Sequence, residues 1–158
     1  MRELLRMADQ IMRERPNVVV GVTGKRGSAP HHGGQGETVV DIAAVHEFGS
    51  PAARIPERSF IRHTIDQKQD AYRTQILNAF RSTVLYAATK GAWRPETSVA
   101  LKRFGLRVEG DIKKRIAEGI PPPLSPVTIA KKGSTKALID TGQLRASIAS
   151  ELRKGRAP

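Results

Sequence analysis

The sequence predicts an α+β fold: a small antiparallel β-sheet packed against long α-helices, with an extended loop and a C-terminal arm. Three observations carry this expectation. Residues 17–23, Asn-Val-Val-Val-Gly-Val-Thr, form a β-branched run of strand length. Two long stretches downstream repeat apolar residues at helical spacing. Glycine and proline cluster between these segments more than within them, which is where turns belong. At 158 residues the chain has the length of one compact domain with a modest core, 39% of it hydrophobic and only 4% aromatic.

Residues 3–15 read as a short amphipathic helix, with Leu4, Leu5, Ala8, Ile11 and Met12 sharing one face. Pro16 ends it, because proline disfavours helical geometry in the residue before it. After the strand at 17–23, residues 24–36 hold five glycines, Pro30 and the pair His31-His32, a composition that predicts a flexible loop. Residues 38–45 are nearly continuous in apolar character and read as a second strand, pairing with the first as a β-hairpin. A loop over 49–55 leads to a long helix over 58–90, which contains no Gly or Pro. Gly91-Ala92-Trp93-Arg94-Pro95 breaks it, and a further helix follows over 96–118 with Val99, Leu101, Phe104, Leu106, Val108, Ile112 and Ile116 as candidate core. Gly105 and Gly110 each weaken that helix by about 1 kcal/mol relative to Ala, unless they permit close backbone packing.

The remainder differs in kind. A proline-rich stretch, Ile120-Pro121-Pro122-Pro123, precedes a basic loop, Lys131-Lys132-Gly133-Ser134-Thr135-Lys136. Asp140 or Thr141 is placed to cap a short helix carrying Leu144 and Ile148 at i, i+4 spacing. The expected organisation is therefore a core over residues 1–120 and a Pro-rich basic arm over 121–158 that reaches onto a neighbour.

Charge is the strongest compositional signal: 27 Lys and Arg against 15 Asp and Glu give a net +12. Such an excess concerns partners (nucleic acid, a membrane surface or an acidic protein face) and not fold. No apolar run approaches the length of a membrane span, and a soluble intracellular product is expected. With no cysteine, disulfides and thiolate chemistry are excluded. Gly21-Val22-Thr23-Gly24-Lys25 fails as a phosphate loop, since its glycines are too close and Arg26 stands where a hydroxyl residue is needed. His31, His32, His46, His63 and Glu47 lack metal-ligand spacing, so no metal site and no cofactor are expected. The serines show no nucleophile-elbow pattern, and no catalytic residue is assigned. Nucleic-acid binding is the competing class, supported by charge but without an evident aromatic platform or reading helix.

Two motifs point elsewhere. Ala44-Val45-His46-Glu47-Phe48-Gly49, followed by Ile55-Pro56-Glu57-Arg58-Ser59-Phe60-Ile61, resembles a signature of tail-completion and virion-morphogenesis proteins of tailed phages, including Mu-like ones. Leu138-Ile139-Asp140-Thr141-Gly142-Gln143-Leu144-Arg145-Ala146-Ser147-Ile148 resembles a second element of the same group. The two stand in the reverse order from that of many Mu-like members, and Ser59 takes a place where proline is common.

The resemblance implies a non-enzymatic structural protein of the virion neck or tail, assembled in the host cytoplasm. It implies a homo-oligomeric ring, sixfold, joining head-side connector or head-closure proteins to the tail tube or tail terminator, with a positively charged lumen or inter-ring face that meets either DNA in the lumen or acidic protein faces. A tail terminator or minor tail protein is the alternative within this class, and a basic DNA-binding accessory protein the alternative outside it. The residues it singles out are His46, Glu47, Phe48, Gly49, Pro56, Arg58, Phe60, Asp140, Thr141, Gly142 and Leu144. Physically, Phe48 is expected to anchor in the core and Gly49 to make a turn closed to other residues. Pro56 is expected to fix the entry to the long helix, Arg58 to pair with Glu47 or a neighbour's carboxylate, and Phe60 to lock the helix start.

Overall fold

The computed structural model describes residues 16–31, 36–90, 96–124 and 142–153, together with positions 2, 5, 6, 9, 126, 129, 130 and 138. The elements are β1 (Asn17–Val22), α1 (Gly24–Gly27), α2 (Val39–Phe48), α3 (Arg62–Lys90), α4 (Glu96–Glu118), α5 (Gln143–Ser147) and β2 (Ile148–Arg153). β1 and β2 form a two-stranded antiparallel sheet, which packs with long helices in the α+β class that the sequence predicts.

Two compact units divide the chain. One comprises Met1–Val19, Lys68–Arg107 and Ser150–Pro158, the other Val20–Gln67 and Val108–Ala149. Each long helix contributes turns to both. In the first unit, Gly105 of α4 lies against the sheet so closely that a Cβ there would come within 2.5 Å of the Val18 side chain and 3.0 Å of Ser150 Cβ. Tyr72 of α3 meets Phe104 of α4 edge to face, ring centres 5.5 Å apart. In the second unit, Val108, Ile112 and Ile116 recur every fourth residue on α4 and are buried, as are Val39 and Ala43 of α2, Phe60, Ile120, Leu138, Leu144 and Ile148.

The expected β-hairpin is corrected. Residues 39–48 form helix α2, not a strand, because Thr38 and Asp41 build a capping box: the Thr38 hydroxyl accepts from the Asp41 N–H, and Asp41 accepts from the Thr38 N–H at 2.9 Å. Those bonds satisfy two donors that a helix start otherwise leaves open. The apolar run Val39-Val40 to Val45 then wraps into a helix with Val39 and Ala43 inward at i, i+4. The true partner of β1 is Ile148–Arg153, within the stretch expected to be an arm. Over 142–153 that stretch is part of the fold, with Leu144, Ser147 and Ile148 buried.

The glycine-rich stretch is also more structured than expected where it is described. Gly24–Gly27 makes one helical turn, with Gly27 buried, and an antiparallel bridge between Pro30 and Thr38 closes the loop that follows. The His31 N–H donates to the Glu37 carbonyl at 2.8 Å. Of the helix expected over 3–15, Leu5, Arg6 and Asp9 are described and are helical, as is Arg2 just before it. His32, the break at 91–95, the basic loop at 131–136, and Asp140 and Thr141 lie outside the described residues.

Candidate functional site

The two motifs, about ninety residues apart in sequence, meet in the second unit: α5 packs against α2, and α1 packs against both. Two bonds tie the second motif to α1 and the segment after it. Arg26 donates to the Ala146 carbonyl at 3.1 Å, and the Gln143 side-chain amide donates to the Pro30 carbonyl at 2.9 Å. Gly142, at φ 74°, occupies the N-cap position of α5, and Leu144, the second residue of that helix, is buried.

Glu47 is the centre of the corner. It sits in the last turn of α2, 5% exposed, and its carboxylate faces the start of α3. One oxygen accepts from the backbone N–H groups of Phe60 and Ile61 at 2.8 and 3.0 Å. The other accepts from the Ser59 hydroxyl at 2.7 Å, the Arg62 N–H at 2.9 Å and the Arg62 Nε at 3.2 Å. A helix start leaves its first N–H groups without partners and carries partial positive charge, so a buried carboxylate there works as a cap supplied from another helix. Burial opposes its ionisation, but the N–H groups of Ile61 and Arg62, the Ser59 hydroxyl and the Phe60 N–H outweigh it and hold the carboxyl below its ordinary value.

Arg62 completes a reciprocal clamp. Its NH2 donates to the Glu47 backbone carbonyl at 2.7 Å and to the Glu57 carboxylate at 2.8 Å. Positive charge at a helix C-terminus is favourable for the same reason that negative charge is at its start. The Arg62 guanidinium also stands over the Phe48 ring, 4.8 Å from its centre. Neither Ser59 nor Arg62 was among the residues expected to act at the site. Their spacing carries little signal beforehand, because the role of each depends on a helix that starts at Arg62 and not at Arg58.

The loop between the two helices explains the remaining positions. Ser50 and Ile55 exchange both backbone hydrogen bonds, at 2.8 and 2.9 Å, which folds the chain back on itself. Gly49 has φ 74°, and a Cβ at this position would lie 2.9 Å from the Glu57 backbone nitrogen, so the expected turn closed to other residues is present. The Arg58 N–H donates to the His46 carbonyl at 2.7 Å, pinning the returning chain to the end of α2. Phe60 is fully buried below the helix start, and its carbonyl accepts from the Thr64 hydroxyl at 2.6 Å. Pro56 lies in the segment entering this corner and is exposed.

Two expectations are corrected here. Phe48 is not a core anchor: at the last position of α2 the residue is 64% exposed, with the Arg62 guanidinium over one face of its ring. Arg58 does not pair with Glu47, whose carboxylate is already taken by Arg62. The Arg58 side chain is buried, and its Nε donates to the Pro122 carbonyl at 3.0 Å. Burial lowers its pKa from the ordinary value, and it remains a cation.

The corner therefore holds its polar groups in internal structural bonds and presents an aromatic ring outward. Among the described residues no three His, Asp or Glu side chains gather as ligands for a metal ion, and no described helix is long and apolar enough to cross a membrane. Compared with protein-family models, curated proteins and solved structures, the chain matches none.

Proposed function

We propose that this chain is a structural subunit of a tailed-phage virion, acting at the neck to complete the tail and join it to the head connector. The observation that carries the reading is the meeting of the two motifs. The Glu-Phe-Gly corner and the Thr-Gly-Gln-Leu element resemble the same group of morphogenesis proteins, and α2 and α5 pack directly on one another. Residues of both elements are committed to holding a rigid joint: Glu47 caps α3, Gly49 turns the chain and Leu144 fills the core. Such a subunit works by shape and contact.

In this reading copies form a closed ring, sixfold by resemblance, through heterologous faces. Exposed Phe48, braced by Arg62, is available for contact with a neighbour. The neighbouring partners are head-closure or connector proteins on one side and the tail tube or terminator on the other, with the basic charge lining a lumen or an inter-ring face. A tail terminator or minor tail protein is the closest alternative station. Mass spectrometry of purified particles tests the reading: the chain is expected in intact virions at a fixed stoichiometry of several copies. Its absence from particles, with recovery only as a DNA-bound monomer, would overturn the reading in favour of a basic accessory protein.

A further inference from the structure

The unit that contains Lys68–Arg107 carries a surface that the motif corner does not use. On α3, Leu77, Phe80 and Val84 follow one another at i, i+3 and i+7, one face of a helix, and are 52%, 41% and 42% exposed. On α4, Val99 and Leu106 stand two turns apart and are 47% and 53% exposed. Single exposed apolar residues are ordinary, but rows of them beside a concavity mark a contact surface. Between the two helices lies a groove of about 670 Å³, with apolar walls from Ile76, Phe80, Val99 and Phe104 and with Arg103 in its lining.

Charge selects the occupant. Lys68–Arg107 holds eight Lys or Arg against two acidic residues, Asp70 and Glu96, a net +6 and half of the chain's +12. At the groove itself the cations are Arg103 in the lining and Arg107 on Gln75, with no carboxylate among the described residues of the lining, so a second copy seated face to face would bring no negative charge to meet them. Nucleic acid offers negative charge but has no use for aliphatic walls. Tyr72 and Phe104 are turned edge to face on each other and do not form a platform on which bases stack. A protein helix with Asp and Glu along an apolar stripe supplies both requirements.

We propose that the α3–α4 groove docks an acidic amphipathic helix of a partner protein. Its apolar side chains, at i, i+3 or i+4 and i+7, lie against Ile76, Phe80 and Val99, and its carboxylates meet Arg103 and Arg107 at the rim. Arg107 is held at one end of the groove by its 2.9 Å bond to the Gln75 side chain. The inference does not depend on the virion reading; within that reading the helix belongs to a neighbouring virion protein.

Fluorescence anisotropy with the full chain tests it. The probes are a labelled peptide of about 18 residues, roughly five helical turns, with leucines at i, i+3 and i+7 among glutamates, a scrambled peptide of the same composition, and single-stranded and duplex DNA. The patterned peptide is expected to bind at least about tenfold more tightly than the scrambled one, because only the pattern presents a continuous apolar stripe. Phe80→Ala and Val99→Ser are each expected to weaken it about tenfold, and Arg103→Gln about threefold with a shallower salt dependence. Circular dichroism checks the fold of each variant. Arg103 is on the surface, so its arm stands even where Phe80→Ala loses stability. Equal binding of the two peptides, or no binding up to about 1 mM, overturns the proposal. So does tighter binding of DNA that Phe80→Ala leaves unchanged, or a dimer of the chain that Phe80→Ala abolishes.

Discussion

Glu47→Gln removes one negative charge from the corner while keeping the size of the side chain, and the consequences follow from the hydrogen bonds. The carboxylate now accepts two backbone N–H groups on one oxygen, and a hydroxyl, a third backbone N–H and the Arg62 Nε on the other. A glutamine amide has a single oxygen. Whichever way it turns, its NH2 faces at least two donors that are left without an acceptor in a site where Glu47 is 5% exposed. At about 1–3 kcal/mol per buried donor so orphaned, the expected loss is about 3 kcal/mol, a large share of the roughly 5–15 kcal/mol that holds a domain together.

In urea the midpoint should fall by about 1–2 M without a change in slope, and Tm by roughly 6–12 °C. The pH dependence has a definite sign. The folded-state pKa of Glu47 lies below its ordinary value of 4.5, so its contribution is complete above that value and is lost as pH falls through the lowered one. Wild type and Glu47→Gln should therefore converge in stability on acidification. A Glu47→Gln protein within about 0.5 kcal/mol of wild type at neutral pH would refute the capping account.

The two glycines of α4 should respond to alanine with opposite signs. Gly105→Ala drives a Cβ to within 2.5 Å of Val18 and 3.0 Å of Ser150, so overpacking should exceed the gain in helix propensity and leave a net loss of about 1–2 kcal/mol. Gly110→Ala meets nothing within 4 Å and should stabilise by up to about 1 kcal/mol; equal effects at the two sites in thermal melts would contradict the packing described for α4. Gly49→Ala combines a left-handed backbone with a contact of 2.9 Å to the Glu57 backbone nitrogen and should cost about 2–3 kcal/mol by chemical denaturation. A neutral Gly49→Ala would mean that the loop can take another path.

Much of this molecule is legible in its sequence. The β-branched segment from Asn17 and the two long periodic stretches give the α+β class, because their periodicities are set by local geometry. The hairpin was not legible. A near-continuous apolar run such as Val39-Val40-Asp41-Ile42-Ala43-Ala44-Val45 suits a buried strand or a buried helix equally. The deciding feature is two side chains at its start, Thr38 and Asp41, in a box whose usual third helical residue is Glu or Gln. Nor did Ile148–Arg153 announce itself as a strand: its partner β1 lies more than 120 residues away, and Glu151 and Arg153 dilute its β propensity.

At the corner, the turn at Gly49 and the burial of Phe60 followed from residue chemistry alone. The identity of the arginine beside Glu47 did not, since it depends on where α3 begins to within one turn. The outward position of Phe48 has a related cause. An aromatic residue beside a glycine reads as an anchor, yet as the final residue of α2 it faces outward and is covered by Arg62 instead of by core.

The proposed role of the corner and of the Gly142 to Ile148 element, in a subunit of a ring at the virion neck, is tested by electron microscopy of particles produced without this chain. Filled heads separated from complete tails are the expected result, with joining restored when the chain is supplied. Normal, fully joined virions in its absence would contradict the claim.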